Sequence, residues 1–156
     1  MYRIIGTGPE EVALRRVASQ LGLSDVVRFL GELPTDDVIA EYRSSDVLLH
    51  AALEDAFPVV VLEAQAVELP VVATDAGGLR ETVDDGVTGY VVPCRDAAAL
   101  AEKLILFAKD RALRLKMGTA ARDRALRLFD IRHEAARTAA LYAELVNPDA
   151  ALCGSG

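Results

Sequence analysis

The chain has 156 residues, 52% apolar and 26% charged, which is the composition of one soluble globular domain long enough for a real core. A net charge of −7 argues against a nucleic-acid partner and against an anionic membrane surface. No apolar run approaches a transmembrane span, no signal-peptide pattern opens the sequence, and Cys94, Cys153, His50 and His133 give neither a disulfide framework nor a metal-ligand spacing, so the expectation is a cytoplasmic domain without a metal.

Tyr2–Ile5 is a short apolar strand running into Gly6-Thr7-Gly8-Pro9. Pro9 suits the first helical position, and the helix it opens to Leu21 carries Val12, Leu14, Val17 and Leu21 as an apolar face, with Gly22 as its stop. Val26–Leu30 reads as a second strand, ended by Gly31. Pro34 to about Tyr42 is a helix with Thr35 as its cap. Asp46–His50 is a third strand. Phe57–Leu62 is ambiguous, because three consecutive valines favour a strand while Pro58 and Leu62, Ala64, Gln65 and Ala66 favour a helix. A strand there would leave no crossover to the next one, Pro70–Thr74, so the segment Pro58 to Val67 is taken as a helix. Gly89–Val92, between Gly86 and Pro93, is the fifth strand.

The character changes after Pro93. Asp96 caps a helix bearing Leu100, Leu104 and Phe107. Asp110 begins another with Leu113 and Met117, closed by Gly118; a third covers Ala120–Leu128; Asp130 caps a last one that ends before Asn147-Pro148. Residues 149–156 read as a disordered tail, leaving one domain over residues 1–148. Strands alternating with helices imply βαβ units, a parallel sheet and helices on both faces: a single Rossmann-like three-layer α/β/α domain.

Ligands of open parallel sheets bind outside the carboxyl ends of the strands. Gly6–Gly8, the 51–57 loop, 75–78 and 93–96 all follow predicted strands. The amides opening the Pro58–Val67 helix carry positive partial charge, which suits a phosphate or a sugar hydroxyl. Asp55, with Glu54 beside it, stands in the loop before that helix, within reach of a hexose. Glu63 lies just over a turn inside it, and a carboxylate there suits paired ribose hydroxyls. Gly6 and Gly8 are donor-binding candidates, although Gly6-Thr7-Gly8 lacks the third glycine of a dinucleotide fingerprint and the Lys of a P-loop and reads better as a tight turn. Gly77 and Gly78 serve either a ligand or the backbone alone. His50, at a strand end, is as readily structural as ligand-facing.

In order, Asp55, Phe57, Pro58, Glu63, Ala64, Ala66, Pro70, Val71, Val72 and Ala73, then Gly77, Gly78, Glu81, Val83, Asp85, Gly86, Thr88 and Gly89, together with the opening Ile-Ile-Gly-Thr-Gly-Pro-Glu, resemble the C-terminal domain of retaining glycosyltransferases of family four, which have the GT-B fold. The resemblance covers nearly the whole chain. It implies that Asp55 holds the donor sugar, that Glu63 binds the nucleotide ribose, and that backbone groups near Phe57, Pro58 and Val59 contact sugar and diphosphate. It implies a nucleoside diphosphate sugar as substrate, no cofactor, transfer with retention, and a cleft between two Rossmann-like domains.

The departures from that family pattern are Asp55, one methylene shorter than Glu; Ala56 for Gly; Gln65 for Met; and Glu68 for Gly. Set against the family pattern, these 156 residues are expected to start after a first strand and helix bearing an Arg and a Lys and to be without the acceptor-binding domain. A separate acceptor-binding domain or a second copy is the expected partner; the alternatives are a truncated, inactive domain and a non-catalytic binding or scaffold module with the same fold. Ten acids lie between Asp46 and Asp96, opposed only by Arg80 and Arg95 within that span, so weak or no donor binding by the chain alone is expected. Without the central strand, the first and third strands are expected to close up, giving a five-stranded parallel sheet of order 2-1-3-4-5, the alternative being a gap that another chain fills.

Overall fold

A computed structural model describes residues 1–146; the expected tail at 149–156 and Cys153 lie outside the described residues. The chain forms two compact units, Met1–Ser44 and a larger one from Ser45 onward.

The first unit holds β1 (Tyr2–Ile5), α1 (Glu11–Gln20), β2 (Val27–Gly31) and α2 (Thr35–Arg43). β1 and β2 are parallel, with Tyr2 opposite Val27 and Ile4 opposite Phe29. The expected apolar face of α1 is solvent-facing: Val12, Leu14, Val17 and Leu21 are exposed, and Ala18 is the buried residue of the helix. A two-stranded sheet offers too little surface to cover a full helical stripe. Thr35 is the first helical residue of α2 rather than its cap; Pro34 takes the cap position, without a side-chain bond.

The second unit holds β3 (Leu48–His50), α3 (Val59–Ala66), β4 (Val71–Thr74), α4 (Leu79–Thr82), β5 (Gly89–Val92), α5 (Ala97–Lys109), α6 (Arg111–Leu128) and α7 (Ile131–Val146). Its sheet is parallel, in the order β3-β4-β5. The ambiguous valine run is helical, as α3, and provides the crossover that joins β3 to β4. β4 is buried along its whole length, and its alternation divides the core. Val71 and Ala73 pack with Val61, Leu79 and Val83 on one face. Val72 packs with Phe107 and Met117 on the other. Each fully buried Val or Leu here contributes about 1.5–3 kcal/mol.

The expected five-stranded sheet is not formed. Among the described residues the strands make a two-stranded sheet, β1-β2, and a three-stranded sheet, β3-β4-β5. Every pairing that does form joins strands consecutive in sequence across a single helix. The pairing that fails is the one that required the chain to step back past β2.

Gly118 also departs from its expected role. It does not close a helix: α6 runs unbroken through it from Arg111 to Leu128. A Cβ at this position would lie 2.1 Å from the carbonyl oxygen of Glu68, so the glycine permits α6 to seat directly on the turn after α3. The three aspartates expected as caps do cap: Asp96 accepts from the Ala99 amide, Asp110 from that of Leu113 and Asp130 from that of Arg132, each at 2.9 Å. Arginines of α6 reach the carboxyl ends of three other helices. Arg114 donates to the Phe107 carbonyl of α5, Arg122 to the Ala66 carbonyl of α3, and Arg124 to the Thr82 and Glu81 carbonyls of α4 at 3.1 and 2.7 Å.

α1 and α3 end in the same hydrogen-bonded turn. At α1, Gly22 donates to the Ser19 carbonyl and Leu23 to that of Ala18; at α3, Glu68 donates to Gln65 and Leu69 to Ala64. The residue at the turn has φ +67° in Gly22 and +66° in Glu68. An L side chain in that conformation costs roughly 1–2 kcal/mol, which glycine avoids. The exposed contact of Glu68 with Arg122, at 3.9 Å, offsets little of this. We therefore expect Glu68→Gly to raise stability by about 1 kcal/mol, read as a higher urea midpoint at unchanged slope.

Candidate functional site

The loop from Ala51 to Pro58 joins the carboxyl end of β3 to the amino end of α3, and its shape is fixed from three sides. From β4, the Thr74 hydroxyl donates to the Ala52 carbonyl and, at 3.4 Å, to that of His50. From the following turn, the Gly78 amide donates to the Asp55 carbonyl at 2.8 Å. The glycine pair makes this approach possible. Gly77 has φ +54°, and a Cβ on it would lie 2.2 Å from the Asp55 carbonyl oxygen; one on Gly78 would lie 2.3 Å from that of Ala56. Of the two readings open in the sequence, the backbone role is the one the geometry displays. The third side is Asp55 itself: Oδ1 accepts from the Phe57 amide at 3.1 Å, and Oδ2 lies 2.9 Å from His50 Nε2.

At the helix end of the loop, Pro58 is buried at the cap position of α3, and its carbonyl accepts from Val61 at 3.0 Å. A helix start leaves its leading amides without intrahelical partners. No side chain caps α3, and the exposed Val59 and Val60 open it. The result is a helix start without a side-chain cap, whose leading amides carry the positive end of a helix dipole. The Phe57 ring, about half exposed, packs edge-on against Phe129, with centroids 6.0 Å apart. Arg124, already bonded to the end of α4, lies over Phe129 at 5.5 Å.

Of the remaining candidates, Glu54 is exposed in the loop and Glu63 is exposed on α3. Gly6 and Gly8 belong to the first unit, where the Gly6 amide bonds the Gly31 carbonyl at 2.7 Å with φ +109° at Gly6. His50 is the residue the sequence left undecided. The only available signal was a histidine at a strand end, five positions before an acid.

The charge balance around the loop is milder than the acids between Asp46 and Asp96 imply. Arg80 grips Asp75 with two hydrogen bonds of 2.7 and 2.6 Å, which hold the Asp75 carboxyl below the usual carboxylate range. α6 supplies arginines from outside that span: Arg114 reaches Asp46 at 3.2 Å and Arg122 reaches Glu68. Asp85 accepts from the Val91 amide at 2.9 Å. Among the described residues no group of three or more His, Cys, Asp or Glu is arranged to hold a metal ion, and no helix is long and apolar enough to cross a membrane.

Comparison with known proteins agrees with this architecture. The chain is 37% identical over 131 residues to a D-inositol 3-phosphate glycosyltransferase of Streptomyces bingchenggensis, covering 84% of this chain and 29% of that protein. It is 40% identical over 114 residues to the putative colanic acid biosynthesis glycosyltransferase WcaL of Escherichia coli, covering 69% of this chain and 28% of that protein. The chain thus spans under a third of the length of these relatives. Among solved structures, sucrose-phosphate synthase from Thermosynechococcus elongatus superposes with a TM-score of 0.86 at 27% identity, over 94% of this chain and 38% of that one. Anabaena HepE, solved in complex with UDP, superposes with a TM-score of 0.85 at 25% identity, over 91% of this chain and 40% of that one; it has also been solved with UDP-glucose. The family model of glycosyl transferases group 1 matches residues 1–124. By that match, which takes in the braced loop, α3 and the glycine pair, this chain belongs to the glycosyl transferases group 1 family.

Proposed function

We propose that this chain is the donor-binding part of a retaining glycosyltransferase that uses a nucleoside diphosphate sugar. Asp55 holds the hexose, Glu63 binds the ribose, and the backbone of Phe57, Pro58 and Val59 meets sugar and diphosphate. Glu54 flanks the hexose, and Gly77 and Gly78 set the height of the loop. The acceptor is bound by a separate domain, so we expect no sugar transfer by the chain alone. The observation that carries this reading is the 51–58 loop, pinned by the glycine turn and leading into an uncapped helix start. A cradle fixed in advance spends little binding energy on ordering. The solved complexes of HepE with UDP and UDP-glucose supply the ligand class.

The test is a titration of the isotopically labelled chain with UDP-, GDP- and ADP-glucose, followed by amide NMR. One of the three is expected to saturate in the millimolar range or below and to shift the amides of residues 55–62. Glu63→Ala is expected to weaken both the sugar nucleotide and the bare nucleoside diphosphate by about tenfold or more, the value of a charge-assisted hydrogen bond pair. Absence of saturation at millimolar concentration for all three would refute the reading.

A further inference from the structure

We infer that His50 is a positioning residue for the donor sugar, acting through Asp55. The inference rests on the donor-site reading above and adds a residue to it. His50 is the last residue of β3 and is fixed there by its ladder partner Ala73 and by the Thr74 hydroxyl on its carbonyl. Its Nε2 stands 2.9 Å from Asp55 Oδ2, with both side chains largely withdrawn from water, at 19% and 25% exposure. An ionised carboxylate only accepts, so the shared hydrogen belongs to Nε2. The other oxygen, Oδ1, takes the Phe57 amide. Two donors at fixed points, one from a strand and one from the helix entry, leave the carboxylate a single orientation. A carboxylate offers about four lone-pair positions, so about two stay open for sugar hydroxyls.

The pairing also accounts for the shorter acid. Aspartate keeps its carboxylate close to the backbone, where the imidazole at the end of β3 reaches it; the strand then sets the direction that a longer side chain would have to find by rotamer alone. His50 touches Asp55, not the sugar, so it governs the hexose-dependent share of affinity and leaves the nucleotide-dependent share alone.

The experiment measures dissociation constants by amide NMR for UDP-, GDP- and ADP-glucose and for UDP, GDP and ADP, on the native chain and three variants. His50→Gln carries an amide nitrogen near the position of Nε2. His50→Asn is polar but too short to reach Asp55. His50→Phe fills the volume and donates nothing. For the nucleotide that binds, His50→Asn and His50→Phe are expected to weaken the sugar nucleotide about tenfold while changing the bare diphosphate less than about twofold, and His50→Gln is expected to stay within about threefold of the native chain for both. If His50→Phe does not fold, His50→Asn carries the comparison. Native affinity for the sugar nucleotide in His50→Asn or His50→Phe overturns the inference, as does an equal loss of both ligands in all three variants. If the native chain binds no sugar nucleotide, the donor-site reading fails first, and this inference falls with it.

Discussion

Gly118→Ala is expected to lower the unfolding free energy by about 1–3 kcal/mol, although alanine is the better helix former. Propensity alone gives the opposite sign: replacing a glycine inside α6 gains about 1 kcal/mol in an unconstrained helix. The added methyl, however, would meet the Glu68 carbonyl oxygen at 2.1 Å and its carbon at 3.0 Å. That carbonyl cannot retreat. The Glu68 and Leu69 amides are bonded back into α3, and β4 begins at Val71. Relief requires α6 to withdraw, pulling Met117 and Ala121, both buried, away from their neighbours. Urea unfolding of the two proteins decides the matter: a midpoint in Gly118→Ala equal to or above the native one would show that the helix and the turn are not in contact.

Gly77→Ala is expected to remove sugar-nucleotide binding, with a dissociation constant raised more than tenfold, while the α5–α6 side of the core keeps its NMR fingerprint. The residue carries two loads. Its φ of +54° costs an L side chain roughly 1–2 kcal/mol. Its Cβ would also lie 2.2 Å from the Asp55 carbonyl oxygen. The loop can escape only by lifting Asp55 and Ala56, which breaks the 2.8 Å bond from Gly78 to Asp55 and moves the carboxylate away from His50. Gly86→Ala separates the two loads, since Gly86 has φ +76° with nothing within 4 Å of its Cβ position. Gly86→Ala should therefore show the backbone strain and retain binding. Equal retention of binding in Gly77→Ala would mean that the turn does not support the loop.

The elements were largely legible because the local signals were strong. Strands were bounded by Gly and Pro, and three aspartates cap α5, α6 and α7 as their spacing announced. The valine run before Glu63 was resolved by topology, since β3 and β4 needed a crossover. What failed was of another kind. Sheet order depends on which strand edges meet in space, and nothing in the residues of a single strand names its neighbour. Gly118 misled because a glycine that ends a helix and one that admits a neighbouring backbone look alike in one dimension. Around the site, the loop and Asp55 were legible from the motif, whereas the His50 contact and the arginines brought in by α6 arise from tertiary packing. Counting charge along residues 46–96 missed partners lying outside that span. Glu68 was visible as a departure from the family's glycine, but its φ of +66° was not.

Arg114, Arg122 and Arg124 of α6 tie the fate of other helices to that one. The carbonyls closing α3, α4 and α5 each take a guanidinium from the same rod, so detaching α6 uncovers three helix ends in one step. Partial fraying is thereby penalised, and the larger unit should melt with high cooperativity, losing its braced 51–58 loop and its core in a single transition.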